Sequence, residues 1–412
     1  MVEFGIESGR ISIKKSPYER LIGILGYASL AIYVAAILLS RKEFTYDEPW
    51  YLGTIDTLRK YGLSIQFLQN LPGPAGPLYT IVQWSVSPLT NFIPFYVRLV
   101  NVILLFVSIL FMAVYASRRG YSVDVVSCFA CLPTVGVSAC LALTEMPAAV
   151  FLCGAILGLS VLYFERIPRG VGIIIAAISG LSLGFAILGR QPYLTVLFVL
   201  PLLLRGVNIV LITIFAMAAL IVTVPVFYIW GGLVPPLTAW AGNGFSLEHG
   251  VLSFSYMSII CLIIFPADVV PNVRITSALA GFGGLANEIF HVVSFTPIQG
   301  LAHFLPTDLS YIFVRVWSDI SVFLAILLIY YVIRRIFSSG VLSFDGFLLA
   351  GISLNLASAA KITHQFSSRY VFSALPILFF YLTPRLPVGL FLLIRLAIAL
   401  LVSLMQVRGY LF

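Results

Sequence analysis

The sequence predicts an all-α integral membrane protein with about 11 to 13 transmembrane helices. Sixty per cent of the 412 residues are hydrophobic and only 10 per cent are charged. The mean hydropathy of +1.06 lies far outside the range of soluble domains. Apolar runs of roughly 18 or more residues recur along the chain, and a helix needs about 20 residues to cross a bilayer. We therefore predict one membrane domain over residues 1–412 and no large soluble domain.

The individual spans follow from apolar runs bounded by charges, prolines and glycines. Polar residues that include Lys14, Lys15 and Arg20 precede the first run, and no small-residue cleavage site follows it. This pattern predicts a retained helix rather than a removed signal peptide. The predicted spans are residues 20–40, 92–117, 122–142, 146–164, 171–189, 192–204, 207–230, 252–270, 274–290, 312–333, 342–360, 370–384 and 387–407.

The distribution of charge predicts which membrane face does the chemistry. The net charge is +8, but Lys and Arg occur in ones and twos at segment ends, which indicates topology rather than nucleic-acid binding. If the N-terminus is cytoplasmic, most Lys and Arg fall on the cytoplasmic face. We expect the other face to carry the functional site. That extracytoplasmic face receives Asp47, Glu48, Glu145, Arg190, Gln191, Glu248, His249, His291, His303, Lys361, His364 and Arg369.

The sequence of the first extracytoplasmic loop, 41–91, predicts a helix that lies in the membrane interface. Over 48–61, apolar and charged residues alternate with helical spacing, so one side is apolar and the other is charged. The following LPGPAGP run cannot be regular helix, and we expect residues 77–89 to form a partly inserted segment. The loops 231–251 and 286–311 are either lids over this region or simple connectors.

No metal or redox site is evident in the sequence. All five cysteines lie in apolar segments, which favours packing over a disulfide framework or metal binding. No DxD or HxxxH motif is present, so we expect no obligatory cofactor. A distant pairing of Asp47 or Glu48 with Glu145 leaves a divalent metal open as an alternative.

The Asp47-Glu48 dipeptide is the first candidate for catalysis, because it lies just beyond the first span beside aromatic residues. A carboxylate at the water–membrane boundary can accept a proton from a sugar hydroxyl and act as a general base. The alternative is a pair of helix-entry carboxylates that the helix dipole stabilises. Glu145 is a candidate supporting acid, with Thr144 as a helix cap.

A second group of residues predicts a phosphate site. Arg190-Gln191 interrupts an apolar path at the membrane boundary, and a guanidinium there either binds an anion such as phosphate or snorkels to the interface. The late AAKITHQFSSRY run brings further potential cations to the same face. Its candidate phosphate-binding residues are Lys361, His364, Arg369 and Tyr370.

These motifs, taken in order, resemble those of the GT-C superfamily of polytopic glycosyltransferases that use polyprenyl-phosphate-linked sugars. The layout from DE to PLYT is similar to the protein O-mannosyltransferase and aminoarabinose-transferase branch, and the later motifs resemble the glucosyltransferases that complete lipid-linked oligosaccharides. The chain departs from the first branch by a GPAGP run in place of Lys-Pro-Pro. The resembling motifs are Asp47-Glu48, Pro77-Leu78-Tyr79, Glu145, Arg190-Gln191 and the late HQFSSRY stretch.

The resemblance implies an inverting glycosyltransferase of GT-C-like fold, working on the extracytoplasmic face. Its donor would be a polyprenyl-phosphate sugar and its acceptor a glycan, lipid or protein. Asp47 would act on the acceptor, with Glu48 supporting it or exchanging roles. The remaining site residues would be Arg190, His364 and Arg369 on the lipid phosphate and Trp50, Tyr51 or Tyr79 on the sugar face.

Two other activities remain open from the sequence. One is a ligase or polymerase of lipid-linked glycans, and the other is a secondary transporter, which would place its rare charges near the bilayer midplane. The absence of an N-x-S/T sequon and of an ER-retention tail favours a prokaryotic plasma membrane over the ER membrane.

Overall fold

Every regular element in the described part of the chain is helical, as the sequence predicts. The computed structural model describes residues 16–242, 244–294, 302, 304–363 and 366–412, and no β-strand occurs within these ranges. Short 3-10 helices cover Ser127–Cys131, Gln191–Leu194, Leu200–Leu203, Pro236–Gly242, Ser358–Lys361 and Thr383–Arg385. The α-helices are Pro17–Leu39, Glu48–Tyr61, Ile65–Gln69, Leu78–Ser85, Ser87–Thr90, Pro94–Arg118, Val123–Val126, Pro133–Cys140, Glu145–Phe164, Arg169–Gly189, Thr195–Val199, Ile209–Trp230, Leu247–Ile264, Pro266–Val269, Val273–Phe290, Thr307–Ser339, Phe344–Ala357, Arg369–Phe372, Leu375–Leu382 and Leu390–Leu411.

Eight of the described helices are long and apolar enough to cross a membrane, so the chain is a multi-pass membrane protein. A ninth span results if Val123–Cys131 and Pro133–Cys140, which meet at an angle of 76°, are counted together. Pro133 explains this bend, because a residue before proline is restricted to extended backbone, and Leu132 has φ −75° and ψ 140°. The eight helices are Pro17–Leu39, Pro94–Arg118, Glu145–Phe164, Arg169–Gly189, Ile209–Trp230, Leu247–Ile264, Thr307–Ser339 and Leu390–Leu411.

The count of 11 to 13 predicted spans exceeds these eight or nine because four predicted spans are short, interrupted or less apolar. Residues 192–204 alternate between 3-10 and α-helical turns, with prolines at the start of both 3-10 turns. Residues 342–360 and 370–384 are likewise divided into α-helical and 3-10 pieces. The predicted span 274–290 is the helix Val273–Phe290, which has 18 residues but is less apolar than the eight membrane helices.

The first loop has the predicted helix, and its two sides differ in burial as expected. Glu48–Tyr61 buries Tyr51, Ile55 and Leu58, whereas its charged side with Asp56 is exposed. Gly62 ends this helix with φ 63°, a value that glycine adopts at little cost. After the Pro- and Gly-rich loop, the short helix Leu78–Ser85 covers most of the predicted inserted segment.

The first and last membrane helices pack against each other and close the bundle. The Tyr33 hydroxyl donates to Ala130 O at 2.7 Å and lies 2.9 Å from the Ser403 hydroxyl. At the end of both helices, the Ser40 hydroxyl donates to Leu411 O at 2.8 Å. The end of the last helix therefore lies beside the start of the first loop, where the Thr45 hydroxyl donates to Tyr410 O at 3.4 Å.

Glycines allow two of the central helices to approach closely. A Cβ at Gly180 would lie 2.2 Å from Phe215 O, and one at Gly184 would lie 2.9 Å from Ala219 O. The two glycines are one helical turn apart, so both face the helix Ile209–Trp230. Small residues at such contacts are typical of membrane helix pairs, because they bring the backbones together.

Candidate active site

The candidate site is built from the ends of four helices that meet at one end of the bundle. Asp47 precedes the helix Glu48–Tyr61, and Glu145 is the first residue of its own helix. Arg190 follows the last residue of Arg169–Gly189, and Arg369 begins the short helix Arg369–Phe372. These helix ends bring two carboxylates and two guanidinium groups together from distant parts of the sequence.

Asp47 forms a direct ion pair with Arg369. Arg369 Nη2 donates to Asp47 Oδ2 at 2.8 Å. The Asp47 side chain is 32% exposed, whereas that of Arg369 is only 8% exposed. Asp47 occupies the position before the helix, but its side chain makes no capping hydrogen bond. Asp47 thus stands at the helix entry, but the direct partner of its oxygen is a buried cation rather than a backbone N–H group of the helix.

Glu48 has a very different environment, although it is the next residue. Its side chain is fully buried, and Arg98 Nε and Nη2 donate to its two oxygens at 2.9 and 2.7 Å. The backbone N–H groups of Ala142 and Thr45 donate to the same carboxylate, each at 2.7 Å. The Arg98 guanidinium also donates to Glu43 O at 2.8 Å. Glu48 therefore anchors the start of the loop to the bundle.

These contacts correct the prediction that Asp47 and Glu48 exchange roles. Both oxygens of Glu48 accept charge-assisted or backbone hydrogen bonds, and the side chain has no exposed surface from which to reach an acceptor. Arg98 is the residue that sequence reasoning missed. Its signal was present, because Arg98 is a lone charge within the apolar run 92–117, and a charge inside a span requires a partner.

Glu145 lies between the two arginines of the site. Its side chain is 1% exposed, Arg190 Nη2 lies 3.3 Å from its Oε1, and Arg369 Nε lies 3.8 Å from the same oxygen. These are ion pairs without hydrogen bonds, and neither Glu145 oxygen has a hydrogen-bond partner among the described residues. Thr144 precedes the helix as predicted, but its side chain does not cap it, and its hydroxyl lies 3.5 Å from Arg190 Nη1 instead.

Several buried polar atoms around these charges have no hydrogen-bond partner within the described ranges. They are Arg369 Nε and Nη1, Arg190 Nε, both Glu145 oxygens and the hydroxyls of Tyr79 and Tyr193. Buried polar groups in folded proteins are nearly always paired, so each exception requires an explanation. Guanidinium N–H groups without a hydrogen-bond partner are suited to a phosphate oxygen.

Arg369 is held as a permanent cation. Burial by itself lowers the pKa of Arg369, but the attraction of Glu145, followed by that of nearby phenols and Asp47, raises it above the ordinary value. Its guanidinium also lies 5.0 Å from the centre of the Tyr46 ring. Tyr46 has φ 59°, a left-handed conformation that is uncommon outside glycine and is found at functional sites.

Two residues that were expected to touch the substrate also hold the Pro- and Gly-rich loop. Gln191 Nε2 donates to Pro74 O at 2.7 Å, and its predicted role as a phosphate ligand stays a prediction. The Trp50 indole N–H donates to Pro72 O at 2.8 Å, while the side chain stays 45% exposed and keeps a surface for a sugar. These bonds fix the loop over the end of Arg169–Gly189.

Tyr51 and Tyr79 pack against each other rather than facing the outside. Their ring centres are 5.8 Å apart and tilted by 59°, and the residues are 6% and 1% exposed. Burial raises the pKa of Tyr51 above its ordinary value. The prediction that these two rings stack on a sugar face is therefore not supported, because their faces are covered by protein.

The late cluster is only partly described. Lys361 is exposed at the end of its 3-10 turn, so it does not join the buried charges. Tyr370 follows Arg369 and packs edge-on against Phe366, with ring centres 5.9 Å apart. The predicted phosphate ligand His364 lies outside the described residues. Within the described ranges, no group of three or more His, Cys, Asp or Glu side chains has an arrangement that would hold a metal ion.

Comparisons with known proteins returned solved structures only. A scan against protein-family models and a search of the curated proteins found no match. The crystal structure of ArnT from Cupriavidus metallidurans in the apo state matches with a TM-score of 0.48 and 15% identity, over 93% of this chain and 76% of that chain. The crystal structure of the same ArnT bound to undecaprenyl phosphate matches with a TM-score of 0.43 and 14% identity, over 92% and 77%. By its eight long apolar helices, the chain is a multi-pass helical membrane protein.

Proposed function

We propose that this protein is a GT-C-type membrane glycosyltransferase, which moves a hexosyl or pentosyl group from a polyprenyl-phosphate donor to an acceptor. The observation that carries the proposal is Arg369, a buried guanidinium that binds Asp47 through Nη2. Its Nε and Nη1 have no hydrogen-bond partner among the described residues, although Nε lies 3.8 Å from Glu145 Oε1. Arg369 thus binds a partly exposed carboxylate on one side and still has N–H groups that can donate hydrogen bonds to a phosphate.

The phosphate of the donor is placed against Arg369 and Arg190. Both guanidinium groups are mostly buried, with 8% and 12% exposure, and both have buried nitrogen atoms without a hydrogen-bond partner among the described residues. Hydrogen bonds to phosphate are strongest where water is excluded, and they would stabilise the charge that develops on the leaving phosphate. Glu145 holds the two arginines near each other by its charge, because it lies within 4 Å of both.

Asp47 is placed as the general base. It is the most exposed member of the four-charge cluster, so an acceptor hydroxyl can reach it from outside. Its ion pair with Arg369 orients the carboxylate, leaving its second oxygen for the hydroxyl proton. Glu48 has a positioning role in this proposal, since its contacts with Arg98 fix the backbone from which Asp47 extends.

The reaction is a single displacement. The acceptor oxygen attacks the anomeric carbon as its proton passes to Asp47, and the bond from that carbon to the phosphate oxygen breaks. The departing phosphate is a good leaving group that keeps the electron pair, so the site needs cations rather than a strong general acid. Attack opposite the leaving group inverts the anomeric carbon. We place the site on the extracytoplasmic face of a prokaryotic plasma membrane.

The proposal is tested by giving the purified protein a panel of polyprenyl-phosphate sugars and measuring consumption of the donor. Undecaprenyl phosphate serves as the lipid, because it is the ligand in one of the similar solved structures. We expect one donor to be consumed by the wild-type protein and to be bound but not consumed by Asp47→Asn. Asp56→Asn is the matched control, because Asp56 is exposed on the far side of the adjacent helix.

Two results would contradict the proposal. If no donor of the panel is bound by the wild-type protein, the buried arginines do not form a phosphate site. If a donor is bound and carried across sealed vesicles without being consumed, the charges belong to a transport route instead.

A further inference from the structure

We propose a second lipid-phosphate site at the opposite end of the bundle, where a cavity takes the head group of an anionic phospholipid from the surrounding bilayer. The cavity has a volume of about 490 Å³. It is lined by both charged and apolar residues. Its lining includes Asp268, Arg385 and Arg395 together with Phe265, Phe391 and Leu392.

The position of the cavity follows from the helices that form it. Arg395 is the sixth residue of Leu390–Leu411, whose far end bonds Ser40 near Asp47. Sixteen residues of helix separate Arg395 from Leu411, which corresponds to roughly 24 Å. The cavity therefore lies at the other membrane boundary from the candidate active site, on the predicted cytoplasmic face.

Arg395 is the residue that points to a ligand. It is half-buried within an apolar helix, its Nε atom is buried, and this atom has no hydrogen-bond partner among the described residues. The other charges at this end are already paired. Arg385 bonds Asp345 and donates to Tyr381 O at 2.7 Å, and Arg335 donates to Asp268 at 2.8 Å.

The charged residues that line the cavity, counted together with the charged residues bonded to them, carry a net positive charge. They are four arginines and two aspartates, which leaves two positive charges. The four are Arg334, Arg335, Arg385 and Arg395, and the two are Asp268 and Asp345. An anionic group is the complementary occupant, and basic pockets on the cytoplasmic side of membrane helices favour anionic head groups.

A lipid fits the cavity better than a soluble phosphate compound because of Phe391. Phe391 is one helical turn from Arg395 on the same side of the helix, and its ring is 77% exposed. A phospholipid would place its phosphate against the Arg395 guanidinium and its acyl chains along Phe391. The arginine stem lies along the apolar wall while its head reaches the phosphate at the interface.

The test is lipid binding to the full-length protein in detergent, measured by native mass spectrometry with phosphatidylglycerol and phosphatidylcholine. We expect tighter binding of phosphatidylglycerol, and Arg395→Gln should weaken it by about fivefold to tenfold, as the loss of one charge-assisted contact implies. Arg395→Lys keeps the charge and should retain most of the preference. Arg205→Gln, which removes an exposed arginine from the same predicted face, should have no effect.

Three results would overturn the proposal. The first is equal binding of the two lipids by the wild-type protein. The second is unchanged phosphatidylglycerol binding in Arg395→Gln, or a loss in Arg205→Gln of the same size. The third is displacement of phosphatidylglycerol by millimolar inorganic phosphate, which would assign the cavity to a soluble phosphate group. Thermal unfolding of each variant shows whether it is folded. If Arg395→Gln does not fold, the comparison uses Arg395→Lys, and a complete loss of the phosphatidylglycerol preference in this folded variant would contradict the proposal.

Discussion

Two neighbouring acidic residues in this protein have opposite environments. Asp47 is partly exposed and bonds the cation of the site, whereas Glu48 is buried and saturated by Arg98 and two backbone N–H groups. Their common location beyond the first span was predictable from the sequence, because acids are rare in this chain. Their division of roles was not, since the partner Arg98 is 50 residues away and belongs to another helix.

Replacement of Glu48 tests its structural role. Glu48→Gln leaves Arg98 buried without a counter-charge, and we expect a loss of about 3 kcal/mol in the free energy of unfolding. The measurement is denaturant or thermal unfolding in detergent. The double variant with Arg98→Met should recover much of the loss, since it removes both charges. A stable Glu48→Gln protein without activity would instead indicate that Glu48 takes part in the chemistry.

The pKa of Arg369 leads to a prediction about pH. Because that pKa is raised above the ordinary value for arginine, the guanidinium keeps its charge at all accessible pH values. The donor is a phosphodiester whose charge is also constant, so donor binding by the wild-type protein should not fall as the pH rises to about 10. In Arg369→Lys, the ammonium has an ordinary pKa of about 10.4 and binding should fall near that pH.

The pH dependence is measured as donor affinity between pH 7 and 10.5 in both proteins. Arg205→Lys is the control, because its side chain is exposed at the other predicted face. An equal fall in the wild-type protein and Arg369→Lys would show that a group other than Arg369 controls donor binding.

At the scale of the elements, the sequence predicted the long helices well and the broken ones poorly. The predicted interfacial segment 48–61 coincides with the helix Glu48–Tyr61, because apolar spacing defines its buried side. The predicted spans 192–204 and 370–384 are interrupted, because prolines inside apolar runs divide them into 3-10 and α-helical turns. Hydropathy alone does not distinguish a broken span from a straight one.

Close packing of the central helices gives a prediction about glycines. Gly180→Ala places a methyl group 2.2 Å from Phe215 O, so the helices must separate, and we expect a loss of about 1 to 3 kcal/mol in stability. Gly170 lies on the same helix with no atom within 4 Å of an added Cβ. Gly170→Ala should therefore be neutral or stabilising by up to about 1 kcal/mol.

Thermal unfolding of the two glycine variants in the same detergent gives the comparison. Equal stability of Gly180→Ala and Gly170→Ala would mean that the two helices are not held at the separation seen in the structure.

At the scale of the whole molecule, four of the charged residues that the sequence singled out lie close together. Asp47, Glu145, Arg190 and Arg369 lie within one connected cluster, although up to 322 residues separate them in the chain. Topology rules could bring these residues to one face. They could not supply the contacts, because side-chain pairing depends on how the helix ends are oriented in three dimensions.

The two faces of the protein can be assigned with thiol labelling. The five native cysteines are buried and free, so the background of labelling should be low. Asp56 and Arg205 are both exposed and lie on opposite predicted faces. We expect a membrane-impermeant maleimide to label Asp56→Cys in intact cells and Arg205→Cys only after permeabilisation. Labelling of both from the same side would contradict the predicted topology.

The central claim is that Asp47 is the base and Arg369 the cation of a sugar-phosphate site. The most direct measurement compares donor binding with sugar transfer in Asp47→Asn. We predict that transfer falls by at least about 100-fold, as expected for a lost general base. Donor affinity should be kept or improved, because Arg369 is released from its ion pair. Full transfer by Asp47→Asn, or a loss of transfer explained entirely by lost donor binding, would contradict the account.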